Sequence, residues 1–79
     1  MLEFRIRLRS VRDVQDFVDV ASTRPFDITI RDDRNKISAQ SFMELFCLDF
    51  TQPLRVVCDC GQEELHWLCN DLNRFLVQE

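Results

Sequence analysis

The sequence predicts an α/β protein of the α+β type, with elements in the order β-α-β-β-α-β-α. Two observations carry that prediction. Four short segments alternate apolar and polar residues, as half-buried strands do, and three others repeat apolar residues at helical spacing. Each strand also keeps one polar face, so the helices cover one side of a four-stranded sheet and water wets the other. This is an open-faced sandwich.

The elements follow in order. Residues 2–8, LEFRIRL, turn Leu2, Phe4, Ile6 and Leu8 one way and Glu3, Arg5 and Arg7 the other. Ser10, with Asp13 three residues on, resembles a capping box in which Asp replaces the usual Glu. Val14, Phe17, Val18 and Ala21 then mark a helix over about 11–22, which Thr23-Arg24-Pro25 breaks. A second strand, 26–31, and a short returning strand, 36–40, flank the polar turn Asp32-Asp33-Arg34-Asn35 as a hairpin. Ser41 opens a short helix, with Glu44 at its third position as a cleaner capping box; residues 49–53 end it. The fourth strand is 54–60, with Leu54, Val56, Cys58 and Cys60 on one face. Gly61, Glu63 and Glu64 start the last helix, where acids suit the dipole, and Leu65, Leu68, Leu72, Phe75 and Leu76 form its buried stripe.

At 79 residues the chain is expected to form one domain, 1–79, with a thin core. Hydrophobic content of 46% with 30% charged residues describes a globular protein and argues against disorder. A net charge of −4 argues against nucleic-acid binding, which needs clustered Lys and Arg. No apolar run reaches the roughly 18–20 residues of a membrane span, and MLEFRIRLRS alternates charge with apolar residues, unlike a signal peptide. The expected location is cytoplasmic, with Cys47, Cys58, Cys60 and Cys69 as reduced thiols serving as small core hydrophobes.

The segment Gln40-Ser41-Phe42-Met43-Glu44-Leu45-Phe46-Cys47-Leu48 is similar to one of the type Lys-Ser-Ile-Met-Gly-Val-Met-Ser-Leu in the HPr family. These are histidine-containing phosphocarrier proteins of the bacterial sugar phosphotransferase system. The resemblance runs over about residues 10–76, and the element order agrees with it independently. It implies an HPr-like open-faced sandwich, a four-stranded antiparallel sheet with three helices on one face. The family accepts phosphate on the histidine of a His-Ala-Arg-Pro run at the start of the first helix. Ser10-Val11-Arg12-Asp13 matches that run, keeping the arginine as Arg12 and replacing the histidine with Ser10. A serine needs an adjacent base to become a nucleophile, and none is nearby. Ser10 is more simply an N-cap, so phosphocarrier activity is expected to be absent. In many Gram-positive bacteria a kinase also phosphorylates a serine at the head of the family's second helix. Crh, a regulatory relative, keeps that serine and has lost the histidine. Ser41 matches it, although Glu44 stands where the family usually has Gly.

Each candidate has a structural reading beside the functional one. Ser41 is a cap or a regulated phosphosite. At 100° per residue, Leu45 and Leu48 fall on one side of the short helix and Phe42, Met43 and Phe46 on the other. The second set either docks a partner or a second copy of the chain, or is covered by neighbouring helices. Cys58, Cys60, His66 and Cys69 raise a thiol or zinc module as an alternative, but their strand-face placement favours packed thiols and no metal. Trp67, flanking the buried stripe, is expected to pack. The expectation is a non-catalytic protein-interaction or regulatory module, without cofactor, with a protein partner and weak self-association, not acting on nucleic acid or membrane. A Crh-like effector phosphorylated on Ser41 is the first alternative.

Overall fold

The computed structural model describes residues 2–77; residues 1, 78 and 79, at the ends of the expected 1–79 unit, lie outside the described residues. The elements are β1 (Leu2–Ile6), α1 (Val11–Ser22), β2 (Ile28–Arg31), β3 (Lys36–Ser38), α2 (Phe42–Leu45), β4 (Leu54–Cys58) and α3 (Gln62–Asp71), followed by a 3-10 turn at Asn73–Phe75. The strands form one antiparallel sheet in the order β1-β4-β2-β3. The last strand is therefore inserted between the first and second. One face of the sheet, with Ile6, Ile28, Ile30, Ile37, Leu54, Val56 and Cys58, is buried beneath the helices. Val14, Phe17, Val18 and Ala21 of α1, Leu45 of α2 and Leu68 of α3 complete the core, with Leu8, Ala39, Leu48, Leu72 and Phe75 from the connecting segments. The predicted α+β open-faced sandwich is the observed architecture.

The strands are shorter than their alternation suggested. Pairing lasts only while a neighbour is present, and Pro53, which has no N–H to donate, immediately precedes β4. β1 therefore runs out at the Ile6–Leu54 pair. Beyond it, the Arg7 N–H donates to the Phe75 carbonyl at 2.7 Å, and the Val77 N–H donates to the Arg5 carbonyl at 3.1 Å. The C-terminal segment thus covers the outer edge of β1, while Leu8 remains in the core. At the other end of the sheet, the Ser41 N–H donates to the Ser38 carbonyl at 3.0 Å and turns the chain out of β3.

The last helix also ends earlier than its apolar stripe. α3 stops at Asp71, and Phe75 reaches the core from the 3-10 turn. At its start, Glu64 Oε1 accepts the Gly61 N–H at 3.2 Å, which satisfies one of the amides left open there. Trp67 corrects an expectation: it is 57% exposed, with His66 edge-on to it at 5.8 Å between ring centres. The α3 stripe needs only Leu65 and Leu68 to meet the sheet, so Trp67 falls outside the contact. Among the described residues no helix is long and apolar enough to cross a membrane.

Candidate functional site

The head of α1 is a closed structure. Ser10 has extended backbone angles (φ −149°, ψ 166°), and its Oγ accepts the Asp13 N–H at 3.1 Å. The Asp13 carboxylate accepts from the Arg9 N–H at 3.0 Å, one residue before the amide that a capping box would use. The shorter aspartate side chain thus ties down the chain entering the helix. Arg12 is largely exposed and pairs with Asp16 one turn along, at 3.4 Å. Arg74, lying 4.4 Å from the Phe75 ring centre, bridges Asp13 at 3.7 Å and also pairs with Asp16. Two cations near Ser10, Arg12 and Arg74, are therefore matched by carboxylates.

The head of α2 is open. Ser41 occupies the N-cap position with φ −92° and ψ 75°, and its side chain makes no capping hydrogen bond. This corrects the expected capping box with Glu44. The helix is only four residues long. The Leu45 N–H donates to the Ser41 carbonyl at 3.1 Å, so only the backbone half of the cap is present. The Ser41 side chain is half-buried and Glu44 is exposed.

The two sides of α2 separate in part, since Phe42 of the outward set packs against the core. Leu45 and Leu48 are buried, whereas Met43 is 77% exposed, Phe46 is 41% exposed and Phe42 is half-buried. Phe42 and Phe46 meet edge to face with ring centres 5.2 Å apart, and Phe46 meets Phe50 at 6.2 Å. The surface is therefore an aromatic row of three rings. Phe50 was missed in the sequence because it follows the expected end of the helix. Its spacing of four from Phe46 was the available signal.

The segment after α2 is held by Asp32, a residue of the polar turn between β2 and β3. Asp32 Oδ1 accepts the Arg34 and Asn35 N–H groups at 2.8 and 2.6 Å, and its Oδ2 accepts the Asp49 N–H at 2.9 Å. These three backbone donors hold its carboxyl at about 2, well below the ordinary value. Asp49 in turn accepts the Thr51 N–H at 3.0 Å, and its carboxyl is lowered through the Thr51 side chain and backbone. The local half of the Asp32 arrangement is the usual habit of Asp at a turn. The Asp49 contact, 17 residues away, has no local signal.

The four cysteines are free. Cys58 is buried and its thiol is pushed up to about 12, first by burial and then by the neighbouring Cys60 and Cys69 thiols. Burial also raises Cys60 and Cys69, which disfavours their thiolate forms. Cys47 corrects the expectation of four core thiols: it lies beyond the end of α2 and is exposed. Among the described residues no group of three or more His, Cys, Asp or Glu is disposed to hold a metal ion.

No protein-family model matches the chain, and no curated protein matches it. Solved structures do. HPr-C-His from Thermoanaerobacter tengcongensis superposes with a TM-score of 0.73 and 23% identity over 94% of this chain and 89% of that one. Crh, the catabolite repression containing protein of Bacillus subtilis, gives a TM-score of 0.64 and 22% identity over 99% and 93%. Crh is described as an intertwined dimer with a swapped domain. At these identities the likeness is one of fold: the chain has the HPr-like fold.

Proposed function

We propose that this chain is a degenerate HPr-family member that has no histidine phosphocarrier activity and works as a protein-interaction or regulatory module related to the bacterial sugar phosphotransferase system. The observation that carries this reading is the head of α1. The position where the family takes up its phosphoryl group holds Ser10, whose oxygen is already engaged as a helix cap. An imidazole nitrogen can accept and release a phosphoryl group near neutral pH, whereas a hydroxyl without a base cannot. The module is non-catalytic, cytoplasmic and free of cofactor or metal. Its partner is a protein, met through Phe42, Met43 and Phe46, with Phe50 extending the row. Met and Phe suit such contacts because they bury large, adaptable apolar surfaces. Weak self-association through the same row fits the reading; Crh, of the same fold, also dimerises, though by swapping a domain.

A second reading has its own support. Ser41 is a serine at a helix head whose side chain caps nothing. Phosphorylation there would add about −1.5 to −2 charges beside Phe42, against the repulsion of Glu44, and would alter docking in the manner of a Crh-like effector. Capture of partners from a bacterial lysate by the chain and by its Phe46→Glu variant tests the first reading. The expected result is a protein retained by the former and lost by the latter while the variant stays folded. Equal retention by both removes the aromatic row from the account.

A further inference from the structure

The open face of the sheet carries a feature that neither helix head explains. In register, Arg5 lies opposite Arg55, Arg55 opposite Arg31, and Arg31 opposite Lys36. Each is adjacent in its strand to a buried residue, such as Ile6, Leu54, Ile30 or Ile37, so all four occupy the solvent face. Arg5, Arg55 and Lys36 are exposed and Arg31 is half-buried. The row crosses all four strands, a span of about 14 Å at the usual strand spacing. The next row on this face, Glu3-Val57-Thr29-Ser38, has one acid, at its β1 end.

Like charges placed directly opposite one another weaken a sheet. General basicity does not account for the row, because the chain carries a net charge of −4. Edge protection accounts for Arg5 on β1 and Lys36 on β3, which are the outer strands. It does not account for Arg55 and Arg31, which lie on the inner strands. Three arginines elsewhere are matched by acids: Arg12 with Asp16, Arg24 with Asp71, and Arg74 with Asp13 and Asp16. Among the described residues Arg31, Lys36 and Arg55 have no such acidic partner.

We propose that this row docks an acidic helix of a partner protein, laid across the strands. Carboxylates placed one per helical turn recur about every 5.4 Å, close to the roughly 4.8 Å between strands, so successive turns meet successive cations. An extended segment presents same-side groups about 6.8 Å apart and falls out of step. Single-stranded nucleic acid is the poorer fit. The outward residues of the two rows include no aromatic ring on which a base would stack, and one line of charge in an acidic protein is a small footprint for a polyanion. The row lies on the face opposite the helices, so this surface is separate from the aromatic row of α2 and stands or falls independently of it.

The test is fluorescence anisotropy with a labelled helical peptide bearing one glutamate per turn. A Glu→Gln version of the peptide and a polyuridylate oligonucleotide of matched charge are run beside it. The Arg31→Thr/Arg55→Thr variant keeps strand-forming side chains and should bind the peptide at least about tenfold more weakly, with salt weakening the wild-type complex. The free variant should also melt at a higher temperature than the wild type, because the like-charge pairs are gone. If the double variant does not fold, Arg55→Thr and Lys36→Ser singly are read in the same way. Binding no tighter than to the Gln peptide, binding unchanged in the variants, or tighter binding of the oligonucleotide overturns the proposal.

Discussion

α1 and α2 both begin on a serine, and the two serines serve their helices differently. Ser10 caps a 12-residue helix with its side chain, and Asp13, Asp16 and Arg74 hold the surroundings in a closed charge network. Ser41 heads a four-residue helix, caps nothing with its side chain, and stands beside a row of three rings of which Phe46 is exposed and Phe42 and Phe50 are half-buried against the core. α1 is fixed by four buried side chains and by the Ser10 cap on the Asp13 N–H. α2 is fixed by Leu45 and Leu48 beneath it and by the Asp32 clamp behind it, which leaves its head and outer face unspent. A serine at a helix start is therefore not by itself evidence of a cap. The backbone angles decide, and they depend on what holds the helix from elsewhere.

The largest effect should come from the buried side of α2. Leu48→Ala is expected to cost about 2–5 kcal/mol by chemical denaturation, whereas Phe46→Ser on the exposed side should cost much less. Equal losses would make Phe46 a core residue. The acid limb of stability sharpens the account of the clamp. The Asp32 carboxyl lies at about 2 when folded, against 3.8 for an unperturbed group. Its contribution is therefore complete above about 3.8 and is lost as pH falls through about 2. Asp32→Asn should flatten that part of the stability–pH curve. By hydrogen exchange it should also loosen residues 47–50 while leaving α1 protected. Uniform loosening of both helices would show that the clamp is not local. The smallest effects distinguish the serines themselves. Ser10→Ala should cost about 1 kcal/mol, as loss of a cap does, and Ser41→Ala no more than about 0.5 kcal/mol. Thermal denaturation of the two variants side by side measures the difference, and the reverse order would restore Ser41 as a cap.

The faces of the elements were legible in the sequence because alternation and helical spacing record directly which side is buried. Ile6, Ile30, Val56, Phe17 and Leu45 follow from them. The insertion of β4 between β1 and β2 was not legible, since pairing partners leave no periodic mark. The ends of β1 and β4 were misjudged for the same reason. The Ser10 cap was legible because the helix behind it is long. The matching prediction for Ser41 failed because the Ser-x-x-Glu spacing says nothing about the angles of a four-residue helix. The pairing of Arg12 with Asp16 could be read only as a helical spacing of four. The cation row on the open face required the register, which brings together residues from opposite ends of the chain.

The central proposal is that the head of α1 holds a cap, not a phosphoryl acceptor. Incubating the chain with phosphoenolpyruvate and the upstream kinase of the phosphotransferase system, followed by intact-mass measurement, tests it most directly. The account predicts an unchanged mass under conditions that fully phosphorylate a histidine-bearing HPr. An acid-labile phosphoryl group on this chain would contradict it.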